Sequence, residues 1–200
     1  PKLPYARVRA GDTVVQVGAP LDTLRAGRSR AMYFSLLVGP RGKVVVVEPH
    51  RESLDALLET ARSAGIDNIL PARRAAWNAR QTLRICIDES HPATNFTEGT
   101  KVYDSRRRAC FDTVELQGDT VDNILAERGI DRVDLVSITT NGAEREIIEG
   151  MSATLARGIE TVALARTGSG YQDLMADRGY DFWGHDDRGY TFVRRGERCR

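Results

Sequence analysis

Apolar residues recur along this chain with two different periods, and the changes from one to the other mark out its elements. Thr13–Val17 (TVVQV) and Lys43–Glu48 (KVVVVE) are short, nearly continuous apolar runs, the pattern of strands buried on both faces of a parallel sheet. The first is entered through the turn Ala10-Gly11-Asp12, and Pro49 ends the second. Between them, Ser29–Val38 reads as a helix closed by Gly39-Pro40-Arg41-Gly42, a stop signal followed by a turn. Beyond Pro49, Leu54, Leu57, Leu58 and Ala61 fall at i, i+3, i+4 and i+7, one face of a helix that stops at Gly65.

The same two periods continue downstream. Asn68–Leu70 reads as a short strand, Thr82–Ile87 (TLRICI) alternates like one, and Ser90–Tyr103 reads as loop. Val114–Leu116 is a further strand, after which Asp119 or Thr120 caps a helix carrying Val121, Ile124 and Leu125. Val133–Ile138 is a strand, Ala143–Glu149 a helix, and a second short helix follows from Met151. Thr161–Ala165 is a strand and Tyr171–Asp177 a helix ending at Gly179. Phe182–Trp183 with Tyr190–Val193 form a closing hairpin. With no internal repeat, low-complexity tract or linker, the expectation is one domain over residues 1–200. Alternating strands and helices predict an α/β architecture with a mostly parallel sheet and right-handed crossovers. Ligands in such sheets bind outside the carboxyl ends of the strands. That directs attention to Gln16–Thr23, Glu48–Arg51, Ala72–Asn78 and Thr139–Glu144.

Composition narrows the functional classes. The 200 residues are 41% hydrophobic and 28% charged, the balance of a soluble globular protein. A formal net charge of +1 provides no global field toward nucleic acid or an anionic membrane. Arginine runs occur at Arg106-Arg107-Arg108 and around Arg194-Arg195, Arg198 and Arg200, but no aromatic residues interleave with them as stacking platforms, so nucleic acid is not an expected partner. Cys86, Cys110 and Cys199 form no C-x-x-C, which argues for a reducing compartment and against a zinc site; no metal is expected. The longest apolar runs are far shorter than the ~20 residues that cross a bilayer. PKLPYARVRAGD lacks the apolar core of a secretion signal, so the expected location is cytoplasmic and away from membranes.

The loop ends carry the candidate chemistry. Gly18, directly after the first strand, lets the backbone turn and approach a ligand closely. A G-x-G-x-x-G phosphate cradle is absent, the next glycine being Gly27, and Pro20 removes a backbone donor. Glu48, ending the second strand, is placed to accept hydrogen bonds from the two hydroxyls of a ribose. Small Ala75 and Ala76 leave room for an adenine to lie flat against the backbone, with Trp77 as a wall.

GDTVVQVGA, LVGPRGKVVVVEP, AAWNARQTLRI, DTVDNILAERGI and VDLVSITTNGAEREIIEGM follow one another in an order and spacing that resembles the FkbM family of S-adenosylmethionine-dependent methyltransferases, over about Gly11 to Val193. The resemblance implies a Rossmann-like class I methyltransferase sandwich, mostly parallel with an antiparallel C-terminal strand. It also implies S-adenosylmethionine as cofactor and O-methylation of a hydroxyl on a small molecule or glycan. Carried over by position, Gln16, Gly18, Ala19, Glu48, Ala76, Trp77 and Thr139 are the cofactor-binding positions: Gly18 and Ala19 face the methionine part, Glu48 holds the ribose, and Ala76 with Trp77 lie near the adenine.

The chain departs from the family pattern where charge is concerned. Gln16 stands where the family's first strand ends in aspartate, and Pro20 and Asp22 replace the following asparagine and glycine. The connection to the first helix is longer, through TLRAGRSR. Lysine-isoleucine-aspartate and glutamate-glycine-alanine-glutamate become Ser137-Ile138-Thr139 and Asn141-Gly142-Ala143-Glu144. A charge-assisted hydrogen bond contributes ~1.5–3 kcal/mol against ~1 for a neutral one, so each lost carboxylate near the cofactor's cationic groups corresponds to roughly tenfold in binding. His50 and Asp22 are the candidate general bases; Glu144 suits orientation of the turn, and His91 and His185 have no evident partner. A methyltransferase is thus expected, with a catalytically silent scaffold of the same fold as the second reading. A nicotinamide dehydrogenase is disfavoured by the missing glycine triplet.

Overall fold

A computed structural model of the chain describes residues 3–19, 30–88, 95–100 and 111–196. A 3-10 turn at Leu3–Arg7 precedes β1 (Thr13–Val17), α1 (Arg30–Val38), β2 (Lys43–Val47), α2 (Arg51–Ser63) and β3 (Ile69–Ala72). Four strands follow, β4 (Ala75–Ala76), β5 (Gln81–Ile87), β6 (Phe96–Thr97) and β7 (Asp112–Asp119). Then come α3 (Val121–Ala126), β8 (Leu135–Ile138), α4 (Glu144–Glu149), α5 (Ser152–Arg157), β9 (Thr161–Leu164), α6 (Ser169–Ala176) and the hairpin β10 (Tyr180–Asp186) and β11 (Gly189–Arg194).

Seven strands form one sheet in the order β10-β11-β9-β8-β1-β2-β3. β1 pairs in parallel with both β2 and β8, so Val15 lies between Val45 and Val136. β11 is antiparallel to both of its neighbours, β9 and β10, which is the antiparallel C-terminal strand that the family resemblance implies. Strict alternation of valines explains the central strands. Val15, Val17, Val45 and Val47 face one layer with Ile124, Leu125, Ile147 and Met151; Val14, Val44 and Val46 face the other with Phe34, Val38, Leu54 and Leu57. Burying each such side chain stabilises by ~1.5–3 kcal/mol, so the central strands fix where their carboxyl ends emerge. Two polar residues break the apolar pattern: Gln16 and Ser137, 1% and 0% exposed, are register partners on adjacent strands.

The middle of the chain differs from expectation. The alternating run at 82–87 is a strand as expected, but it lies outside the main sheet: β5 pairs with β7 over its whole length in a second sheet ordered β4-β7-β5-β6. Leu83, Ile85 and Ile87 form its apolar face with Ala75, and Val114, Leu116 and Trp77 pack against them. Phe96–Thr97, inside the stretch expected to be loop, pairs with Ile85 and Cys86. A two-residue strand has no period to detect. Thr120 caps α3, its Oγ1 accepting from Asn123 N–H at 3.0 Å. Asp119 holds the junction, accepting from Arg80 Nε, Thr120 N–H and Asn123 Nδ2, each at 2.8 Å. Among the described residues no helix is long and apolar enough to cross a membrane.

The small sheet is seated on the main layer at one crowded point. A Cβ on Gly150 would fall 1.9 Å from the carbonyl oxygen of Trp77, a backbone atom that cannot swing away. The Gly150 backbone, at φ −77°, is one any residue adopts, so the constraint is spatial alone. Gly150→Ala is expected to lower stability by ~1–3 kcal/mol, at about 2–4 °C of melting temperature per kcal/mol. Thermal unfolding followed by circular dichroism measures it; an unchanged melting temperature would contradict the close seating of Trp77 on this helix end.

Candidate functional site

The carboxyl ends of β2, β1, β8 and β9 open into a cleft of about 330 Å³. Gly18, Ala19 and Glu48 line its floor, Ala75 and Ala76 one end, and the turn Thr139–Ala143 the middle. Ile85, Asn95, Phe96 and Thr97 of the small sheet form a side wall, and Arg30 and Arg188 stand on the wall as well.

Glu48 is the organising group of the floor. Only 8% exposed, it accepts from Ala19 N–H at 2.7 Å on one oxygen and from His50 N–H at 2.8 Å on the other. It therefore ties the loop after β1 to the start of α2. Burial pushes its pKa up to about 7, and the two backbone N–H groups only partly oppose that rise. Gly18 makes the adjoining turn at φ +87°, and a Cβ there would lie 2.4 Å from the carbonyl oxygen of Thr139. The β1 and β8 loops thus touch through backbone, and glycine is required at this position.

Gln16 and Thr139, neutral polar residues at the carboxyl ends of β1 and β8, face each other. Gln16 Nε2 donates toward Val17 O at 2.9 Å and Gly18 O at 2.8 Å, and lies 2.8 Å from Thr139 Oγ1. Thr139 Oγ1 in turn sits 3.1 Å and 3.2 Å from the same two carbonyls. Gln16 Oε1 is buried without a hydrogen-bond partner among the described residues. An aspartate at 16 would set an acceptor against two carbonyl oxygens, so the amide is matched to this neighbourhood rather than a bare loss of charge.

Of the residues singled out from sequence, Gly18, Ala19, Glu48, Ala76 and Thr139 meet on the cleft surface. Gln16 lies behind Thr139 rather than on the wall. Trp77, half-buried, packs between the main core and the small-sheet core, and its backbone N–H donates to Asp119 O at 2.8 Å; the cleft wall does not include it. His50 precedes α2, with Nδ1 2.9 Å from the hydroxyl of Ser53, and it is Ser53 that reaches the wall. Asp22, Pro20 and His91 fall outside the described residues. Glu144 is fully buried at the start of α4, 3.4 Å from Arg166 Nε; burial raises its pKa and Arg166 draws it back.

Sequence reasoning missed Arg30, Arg188 and the Asn95–Thr97 edge. For Arg30 a signal existed. Arg30, Ala31, Phe34, Ser35 and Val38 form the buried stripe of α1, and an arginine opening an apolar stripe calls for a partner in the interior. Arg188 sits in a turn and Asn95 directly before β6, positions whose spatial neighbours no local pattern reveals.

A family model for the methyltransferase FkbM domain matches residues 16–182. The chain belongs to the FkbM methyltransferase family. No curated protein matches it. Among solved structures it is similar to the methyltransferase FkbM from Methylobacillus flagellatus KT, with a TM-score of 0.58 and 14% identity over 92% of this chain. It spans 43% of the length of that relative. Aeropyrum pernix fibrillarin, solved with natively bound S-adenosyl-L-methionine, matches with a TM-score of 0.51 and 15% identity, covering 94% of this chain and 67% of that one. A putative rRNA-methylase from Clostridium thermocellum gives a TM-score of 0.51 at 10% identity over 97% of this chain and 92% of that one. At these identities the likeness is one of fold, that of class I methyltransferases. The mostly parallel sheet of this chain, with β11 inserted antiparallel beside β9, is that architecture.

The raised pKa of Glu48 has a consequence for stability. Between pH 4.5 and about 7 the unfolded chain ionises this carboxyl while the native chain keeps it protonated. Its contribution is therefore fully present below pH 4.5 and lost as pH rises to about 7, in all about 3 kcal/mol. Wild type should lose stability relative to Glu48→Ala across that window and run parallel to it above. Denaturant melts of both proteins at pH 4.5, 6 and 7.5 check this; a constant difference at all three would contradict a buried, elevated Glu48.

Proposed function

We propose that this FkbM chain binds S-adenosylmethionine in the cleft and transfers its methyl group to a hydroxyl oxygen of a small molecule or glycan. The observation that carries the reading is the Glu48 carboxylate at the end of β2. Each of its oxygens accepts one backbone N–H, which leaves further acceptor capacity on a group that lines the cleft. A ribose with two adjacent hydroxyls suits that remaining capacity. Ala75 and Ala76, 4% and 7% exposed on the cleft surface, suit a flat adenine beside it, and Gly18 with Thr139 receive the methionine part.

The bound cofactor supplies a methyl group already activated on a sulfonium sulfur, so the chain's own task is positioning. Thr139, Thr140 and Asn141 present hydroxyl and amide groups at the β8 mouth, and Asn141 is fixed by donating Nδ2 to Asn95 O at 2.8 Å. The scaffold reading is favoured by one observation, the neutral Gln16–Thr139 pair where charge would balance the cofactor's cationic groups. The same pair is compatible with binding of reduced strength.

Calorimetric titration with S-adenosylhomocysteine separates the two. Wild type is expected to bind at micromolar concentration, and Glu48→Ala at least tenfold more weakly while staying folded. No heat at millimolar ligand would favour the scaffold, and equal affinity of the variant would remove Glu48 from the site.

A further inference from the structure

The wall of the cleft away from Glu48 is cationic. Arg30 opens α1 and is 4% exposed. Its Nη1 donates to Ser137 Oγ in β8 at 3.0 Å, which uses one of five guanidinium donors. Among the described residues no carboxylate stands within ion-pair distance of it. The nearby acid Asp186 is engaged by backbone, accepting from Leu3 N–H at 3.2 Å, Arg188 N–H at 2.8 Å and Gly189 N–H at 3.3 Å. Burial lowers the pKa of Arg30, with Tyr5 and Asp186 opposing, yet a guanidinium keeps its proton in proteins. A buried cation is costly unless an anion meets it, and this one faces the cleft.

Arg188 reaches the same cleft from the β10–β11 turn, its side chain 32% exposed and its Nε 3.9 Å from Asp187, a long ion-pair contact. Among the described lining residues, Glu48 is the sole carboxylate, and it directly follows β2. The turn bearing Arg188 folds against the end of β9, where Tyr190 N–H donates to Arg166 O at 3.2 Å. From β2 to β9 is three strand spacings, roughly 14 Å. With the ribose at Glu48, the methionine part lies over β1 and β8, and the arginine wall continues past it toward β9.

We propose that Arg30 and Arg188 form a seat for an anionic group of the methyl acceptor, a carboxylate or a phosphate, so that the acceptor is a hydroxylated acid rather than a neutral sugar. This rests on the cofactor reading above. The pair fixes one end of the acceptor by charge, while the neutral turn Thr139–Asn141 meets the reacting hydroxyl.

The test titrates inorganic phosphate into the full chain saturated with S-adenosylhomocysteine. Phosphate is expected to bind wild type at millimolar concentration, and Arg30→Gln and Arg188→Gln each about tenfold more weakly. Arg188→Lys should keep binding within about threefold. Affinities for S-adenosylhomocysteine and for 5′-methylthioadenosine, which lacks the amino-acid part, should stay within about threefold in every variant. Arg188, partly exposed on a turn, keeps the test decisive if Arg30→Gln fails to fold. Equal phosphate binding in wild type and Arg188→Gln, or none in wild type, overturns the seat. A tenfold loss for S-adenosylhomocysteine with methylthioadenosine unaffected also overturns it, by assigning the arginines to the cofactor's own carboxylate. Should wild type bind no S-adenosylhomocysteine, phosphate is titrated into the ligand-free chain. Arginine-dependent binding there sustains an anion seat while the cofactor reading falls, and its absence removes the seat too.

Discussion

The carboxylate of Glu48 holds together the two loops from which the cleft is built. With one oxygen on Ala19 N–H and the other on His50 N–H, it fixes the exit of β1 against the entry to α2. Among the described residues no cation partners it; burial raises its pKa to about 7, with two backbone donors opposing. A carboxyl poised there answers sensitively to a new donor. Hydrogen bonds from ligand hydroxyls to the ionised form would draw the pKa down, so binding and ionisation are linked at one residue.

Around that point, polarity is placed sparingly in an otherwise apolar sheet. Gln16 and Ser137 are buried on one face of the two central strands, and each is tied to something at the cleft. Gln16 holds Thr139 and the Gly18 carbonyl, and Ser137 holds Arg30. The ends of β1 and β8 carry neutral hydrogen-bonding groups, Gln16 and Thr139, while a cation, Arg30, stands beneath the β8 end. That arrangement fits a cleft whose second ligand brings the negative charge itself.

Most of the architecture was legible in the sequence because it is written in local periods. The valine runs of β1 and β2, the i, i+3, i+4 face of α2 and the capped start of α3 each declare themselves within ten residues. Glu48, Gly18, Ala19, Ala76 and Thr139 were legible because strand ends in a parallel sheet converge on one edge. Trp77, expected as a cleft wall, has its backbone turned onto Asp119 and packs between two cores, a consequence of the second sheet, which local alternation does not announce. Gln16 was placed at the cofactor by analogy with aspartate, whereas its longer side chain folds back on backbone carbonyls. Arg30 and Arg188 come together only through long-range packing of α1 and a hairpin tip, so their meeting was not legible.

The most direct test is the ionisation of Glu48 itself, followed by carbon-13 NMR of the side-chain carboxyl through a pH titration, with and without S-adenosylhomocysteine. An apo midpoint near 7 that falls by more than one unit when ligand is bound is the predicted result. An apo midpoint near 4.5, or one that does not move with saturating ligand, would contradict a buried carboxylate that receives the ribose.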